Sequence, residues 1–344
     1  MDIVITIVLF IIGLFLLMKC GDLLVEVCLK FSKITGISQI IIGATMVSIA
    51  TALPELFVSV IASYKGSNGL AVGNSIGTII SNGALILGIL LAFSKTDYKD
   101  KKRDIKLIFP VVFSVLVLLF SLDLKISLVE NIILLVCFVL FFIYNLVEAK
   151  NEVKTYNQSI LQENKESSSE DYENLTDKEK SKDKKVSSRK KQIWLLILLF
   201  ILGAGGIVLG AEILVNSATK IASFLGISEE IIGLTIVAIG TSLPELVTTI
   251  NSLKKKNYNL AIGNITGANI INLTLILGLS GVFGGGNLLV SKLTLFIYIP
   301  LVIIISLIIS LPLFIKNKSY KWQGYILLFL YFAYFISLIV MSII

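Results

Sequence analysis

The chain has 344 residues, 56% of them hydrophobic and only 15% charged, whereas soluble domains carry about 25% charged residues. Composition therefore places it in a membrane. Its net charge of +7 does not imply a nucleic-acid partner, because the Lys and Arg residues concentrate in polar loops between apolar runs. The absence of histidine excludes imidazole zinc sites and histidine proton relays.

Ten apolar runs follow one another, each long enough to be read against the roughly 20 residues that a transmembrane helix needs. They cover 3–19, 37–63, 69–94, 107–122, 126–147, 192–214, 227–251, 258–283, 290–315 and 322–343. The first run follows Asp2 without a basic leader or a small-residue cleavage pattern, so it reads as a retained span. Cys20, Cys28 and Cys137 lie in or beside apolar runs and form no CxxC pair, which suggests packing rather than a disulfide framework. Between the fifth and sixth runs, residues 149–191 are rich in Lys, Glu, Ser and Asn and read as a flexible polar linker. The expected organisation is a first five-helix half over 1–148, the linker, and a second half over 192–344.

Orientation follows from the basic residues. With the N-terminus outside, the loops after odd-numbered spans hold 3, 6, 11, 3 and 3 Lys or Arg, a total of 26. Only Lys65, Lys125, Lys220 and Lys292 remain for the outer loops. The positive-inside rule thus predicts both termini outside.

The chain also repeats itself. Gly43–Ile89 and Gly233–Leu279 align without a gap at an offset of 190, with 21 of 47 positions identical. Each copy carries Thr-x-Leu-Pro-Glu, at Thr51–Glu55 and Thr241–Glu245. Each then carries Gly-Asn-x-x-Gly and a further Asn, namely Gly73, Asn74, Gly77 and Asn82, or Gly263, Asn264, Gly267 and Asn272. Five spans per half is an odd number, so the halves must enter the membrane in opposite senses. The predicted fold is an all-α multi-pass membrane protein of about ten helices in two inverted repeats, the architecture of alternating access.

Ionisable residues at membrane depth are costly and mark function. Glu55 and Glu245 are the carboxylates set well inside apolar runs. Thr51 with Glu55, Thr241 with Glu245, and Thr78 with Asn82 are each spaced by four, which puts each pair on one helix face. Asn272 is the counterpart of Asn82. Pro54 and Pro244 each remove a helical hydrogen bond, which is expected to turn carbonyls such as those of Ser48 and Ala238 inward. Carboxylate, hydroxyl and carbonyl oxygens are the ligands of hard cations, and two close carboxylates demand neutralisation by one Ca²⁺ or by two or more Na⁺. Asn74 and Asn264 read as braces between helices. No catalytic residue and no cofactor is expected, since nucleophile motifs and cofactor loops are absent from the sequence.

The paired G(T/S)xLPE and GNxxGxNxxN motifs resemble the alpha repeats of the cation/calcium antiporter superfamily, in particular its prokaryotic sodium/calcium exchangers. The resemblance covers nearly the whole chain except the linker. It implies a Na⁺/Ca²⁺ antiporter, not an enzyme, in the plasma membrane of a prokaryote, with Ca²⁺, Na⁺ and the lipid bilayer as partners and a monomeric state. It carries the ion-binding role to Glu55 and Glu245, to Thr51, Thr241 and Ser242, and to Asn82 and Asn272. Ala52 and Ala268 stand where the family often has Ser, each removing one oxygen ligand. Asn272 stands where potassium-dependent relatives carry Asp, which argues against K⁺ co-transport. The alternative is a proton/Ca²⁺ antiporter using the same carboxylates.

Overall fold

A computed structural model describes residues 3–35, 48–93, 105–166, 182–243, 245–246, 249–250, 258–316 and 318–343. These form ten helical stretches in the predicted order. They are α1 (Ile3–Thr35), α2 (Ser48–Thr51 and Leu53–Tyr64), α3 (Asn68–Phe93), α4 (Phe109–Phe120, after a 3₁₀ turn Ile105–Ile108) and α5 (Leu128–Glu166). The second half supplies α6 (Lys182–Leu225), α7 (Glu229–Ile232, Gly233–Val237 and Ala238–Thr241), α8 (Tyr258–Ile271, Asn272–Ile276 and Leu277–Phe283), α9 (Thr294–Lys316) and α10 (Lys321–Ile343). Seven contain stretches long and apolar enough to cross a bilayer. The described parts of α2, α4 and α7 are shorter; α2 carries the first Leu-Pro-Glu, and the second follows the end of α7 at Thr241 in the sequence.

Two features differ from the sequence expectation. The polar linker is helical at both ends, since α5 runs on to Glu166 and α6 starts at Lys182. Lys, Glu and Gln are good helix formers, and extending an existing helix avoids the cost of nucleation. Residues 167–181 lie outside the described residues. The fold also contains a short antiparallel ladder, Lys125–Ile126 against Leu288–Leu289, paired Lys125↔Leu289 and Ile126↔Leu288. It joins the α4–α5 turn to the α8–α9 turn, and Asn131 ties it down by donating to the carbonyls of Ile126 (3.0 Å) and Gly286 (3.3 Å).

Inversion can be read from the packing of α1 on α6. A Cβ on Gly13 would lie 3.0 Å from the Gly210 carbonyl and from the Leu214 nitrogen. A Cβ on Gly203 would meet Leu24 at 2.8 Å and the Cys20 carbonyl at 3.6 Å. Adding 190 to Gly13, Cys20 and Leu24 gives Gly203, Gly210 and Leu214, so the two sets of neighbours exchange places. As α1 advances from 13 to 24 its neighbours on α6 retreat from 214 to 203, which makes the pair antiparallel. Other contacts exchange in the same way, with α3 on α7 matching α8 on α2, and α3 on α10 matching α8 on α5. A two-fold axis between the halves produces this pattern.

The α2–α3 turn is tied to α6 by Lys65, whose Nζ lies 3.2 Å from Glu212 Oε1 and donates to Asn216 Oδ1 at 2.8 Å. The side chains are 30% and 54% exposed, and exposed ion pairs contribute roughly 0–1 kcal/mol. Lys65→Ala is therefore expected to move the melting temperature by no more than about 2 °C, a size consistent with so small a term. Differential scanning fluorimetry in detergent checks this.

Candidate ion-binding site

Both halves break their motif helix at the same register. The first segment of α2 ends at Thr51, and Ala52 (φ −83°, ψ 0°) precedes Leu53. In α7 the helix ends at Thr241, followed by Ser242 (φ −79°, ψ 1°). Helical bonding resumes beyond each break, from the Leu56 amide to the Ala52 carbonyl (3.0 Å) and from the Leu246 amide to the Ser242 carbonyl (3.1 Å). Pro54 sits in the first turn after the break, where its missing N–H is least costly. Pro244 lies outside the described residues.

Glu55 and Glu245 follow these breaks by one turn and are 0% and 1% exposed. They face each other across the repeat axis, Glu55 towards Glu245 and Thr241, and Glu245 towards Thr51. Since 51 and 55 become 241 and 245 under the repeat, each carboxylate meets the threonine of the other half. The Thr241 hydroxyl is directed at Asn74 Oδ1 (3.3 Å) and at the Ala238 carbonyl (3.4 Å), so it approaches Glu55 without completing a bond to it.

Asn74 holds the two halves together. Its amide nitrogen donates to the Glu55 carbonyl (3.2 Å) and to Ser59 Oγ (2.9 Å), while its oxygen accepts from Thr241. Both N–H groups are thereby used, as a brace requires. The Ala238 carbonyl, expected to turn towards cargo, accepts from the Ser242 amide (3.1 Å) and the Ser242 hydroxyl (2.7 Å) as well as from Thr241. Ser48 opens the first segment of α2, and its side chain lies outside the described residues.

α3 and α8 close the other two sides. Each widens into a π-turn at its asparagine, Ser81–Ile86 around Asn82 and Asn272–Ile276 from Asn272. A third such turn, Gly233–Val237, precedes the break in α7. Turns of this type gather at functional sites, and nothing in the residue pattern announced them. Thr78 and Asn82 are 0% exposed, and Asn272 is 1% exposed. The Asn272 amide donates back to the Ala268 carbonyl at 3.0 Å, which leaves its oxygen unspent.

Six oxygens of the residues singled out from sequence are buried on these helices with no hydrogen-bond partner among the described residues. They are both carboxylate oxygens of Glu55, Oε2 of Glu245, Oγ1 of Thr78, and Oδ1 of Asn82 and Asn272. An unsatisfied buried polar atom costs about 1–3 kcal/mol, and more when charged. A concentration of oxygen acceptors, two of them carboxylates, suits a hard cation with its 6–8 oxygen ligands. Four further oxygens share this condition and were not singled out from sequence, Ser75 Oγ, Thr249 Oγ1, Asn269 Oδ1 and Ser280 Oγ. Thr249 continues the fourfold spacing of Thr241 and Glu245, a legible signal. Asn269 has Ile79 as its repeat counterpart, so the duplication hid it.

Comparison with known proteins gives the family. The family model described as sodium/calcium exchanger protein matches residues 5–147 and 195–340. The chain belongs to that family. Among similar family members, the sodium/calcium exchanger MaX1 of Methanosarcina acetivorans is 33% identical over 346 residues, covering 95% of this chain and 96% of that protein. The inner membrane protein YrbG of Escherichia coli is 34% identical, covering 81% of this chain and 80% of its own length. Among solved structures, the sodium-calcium exchanger NCX_Mj soaked with Na⁺ and Sr²⁺ matches with a TM-score of 0.64 at 28% identity, over 98% of this chain and 99% of that one. This exchanger-family chain is thus a multi-pass membrane protein whose ten helices form two inverted five-helix repeats.

Proposed function

We propose that this protein exchanges Na⁺ for Ca²⁺ across a prokaryotic plasma membrane by alternating access, with the cargo ions held between Glu55 and Glu245. The observation that carries the reading is the pair of buried carboxylates, facing one another across the repeat axis amid unspent amide and hydroxyl oxygens. Two like charges in a low-dielectric site repel strongly. A single Ca²⁺ or at least two Na⁺ relieve that repulsion, so the two cargoes compete for the same oxygens. Competition of this kind makes the unloaded carrier costly and couples the return of one ion to the export of the other. The inverted halves supply the two access states, since exchanging their conformations opens the site to the opposite face. Family membership and the ions named with the MaX1 and NCX_Mj relatives support the same cargo.

Proteoliposomes loaded with Na⁺ and diluted into Na⁺-free buffer should take up radiolabelled Ca²⁺. Failure to do so overturns the reading, and uptake driven by a pH gradient without Na⁺ replaces it with proton coupling. Asn272 offers a finer test. Asn272→Asp adds a third carboxylate to the group and is expected to lower the Ca²⁺ KM by at least about threefold, a modest electrostatic gain at the effective dielectric of such sites. Uptake measured against Ca²⁺ at several Na⁺ and K⁺ concentrations reads the change, and an unaltered ion dependence removes Asn272 from the ligands.

A further inference from the structure

The N-terminal half of α7 is tied by side-chain hydrogen bonds to α9 and α10. Ser228 caps it, accepting from the Ile231 amide at 3.3 Å, and Glu229 and Glu230 occupy its first turn, where negative charge is favourable. Glu230 Oε1 accepts from the Ser291 hydroxyl (2.7 Å) and from the Thr294 hydroxyl. Ser291 in turn accepts from the Thr294 amide at 3.0 Å, so one hydroxyl caps α9 and ties it to α7. On the opposite side, the Glu230 carbonyl lies 2.5 Å from where a Cβ on Gly73 of α3 would sit. One turn further on, the Leu234 carbonyl within the π-turn accepts from the Tyr334 hydroxyl of α10 at 2.7 Å. Tyr334 is fixed by an edge-on contact with Tyr298 of α9, ring centroids 5.5 Å apart.

We propose that Glu230 is a positioning residue for ion exchange, anchoring α7 to α9 so as to set the height of Thr241, Ser242 and Glu245 against Glu55. Eleven residues separate Glu230 from Thr241, about 16 Å along a helix, so Glu230 acts through the helix and touches no cargo. The 190-residue register sets Ile40 against Glu230, and isoleucine provides no carboxylate. This carboxylate therefore has no counterpart at the matching position of the first repeat. In a carrier whose halves exchange conformations, an interaction built into one half and formed in only one access state gives the two states unequal free energies. Glu230 thus weights one face of the membrane over the other.

The inference rests on the exchange reading above, and its test separates the two. Ca²⁺ KM is measured at each face, in right-side-out and inside-out vesicles, for the unmodified protein, Glu230→Leu, Glu230→Gln and Ser291→Ala. Glu230→Leu is expected to change the ratio of the two KM values at least threefold, with maximal rate per folded protein within twofold. Glu230→Gln, which still accepts from both hydroxyls, should shift the ratio less, and Ser291→Ala should shift it in the same direction as Glu230→Leu. KM values that change equally at both faces, or not at all, overturn the proposal, since a merely structural loss has no reason to favour one face. Hydrogen–deuterium exchange of residues 231–241 is read in parallel and needs no transport. It should rise at least tenfold in Glu230→Leu relative to α3, and unchanged protection there sinks the anchor whatever the flux. Absence of Na⁺-driven uptake by the unmodified protein, with protection lost in the variant, sinks the exchange reading instead.

Discussion

Glu55→Gln or Glu245→Gln is expected to lower Na⁺-driven Ca²⁺ uptake by at least about 100-fold, which corresponds to about 2.7 kcal/mol of lost ion binding, while the protein remains folded. The isosteric amide keeps the volume and one acceptor oxygen but removes half of the buried charge that calls for a divalent ion. Stability should move the other way. Without cargo the parent holds two facing carboxylates, and neutralising one relieves their repulsion, so either variant melts at or above the parent in ion-free buffer. With Ca²⁺ at about 100 times its Kd, binding stabilises the parent by roughly 2.7 kcal/mol, and this increment is absent from the variants. Thermal shift with and without Ca²⁺, beside isotope flux, reads both signs. A variant that retains wild-type flux removes that glutamate from the site. A variant that melts well below the ion-free parent would show the carboxylates to be structural members of the helix packing.

The inverted fold and the carboxylate pair were legible because the chain states them twice. A motif duplicated at a fixed offset, with five spans in each half, leaves little choice of architecture. The four-residue spacing of Thr51 with Glu55 and Thr241 with Glu245 put each pair on one helix face, and the structure brings Glu55 near Glu245 and Thr241, and Glu245 near Thr51. What the residues did not disclose is which oxygens are already spent. The proline at 54 suggests carbonyls released by a broken helix, yet Ala238 of the matching break in α7 accepts from three donors. Competition for a carbonyl is a three-dimensional matter, since Thr241 and Ser242 reach back only once the helix ends. The π-turns at Asn82 and Asn272 were equally hidden, because one inserted residue per turn depends on packing and has no signature in residue type. Glu230 escaped notice for the opposite reason, as an acid near a span end reads as solvated until Ser291 and Thr294 of a distant span are seen beside it.

Gly77→Val is expected to cost more than tenfold in apparent Ca²⁺ affinity, which equals about 1.4 kcal/mol or more. The reason lies in the crossing of α3 over α7, where backbones touch with no side chain between them. A Cβ on Gly77 would sit 2.8 Å from the Cβ of Ala238 and from the Cα and carbonyl oxygen of Leu234. Beside Leu234, a Cβ on Gly233 would lie 2.7 Å from the Leu70 carbonyl. Rotamer changes offer little relief, because most of the opposing atoms are backbone. The helices must part, and over-packing of this kind costs about 1–3 kcal/mol. Thr78, beside Gly77 on α3, and Thr241, one turn from Ala238 on α7, are then drawn apart, so the loss falls on the site as well as on stability. Gly77→Ala imposes the same Cβ without further bulk and should fall between parent and Gly77→Val. Gly205→Ala serves as the control, because a Cβ there meets nothing within 4 Å among the described residues, and alanine is the better helix former. Flux titrated against Ca²⁺, on protein that elutes as a single species, separates lost affinity from lost fold. Parental affinity in Gly77→Val would mean that the closeness of α3 and α7 has no part in forming the site.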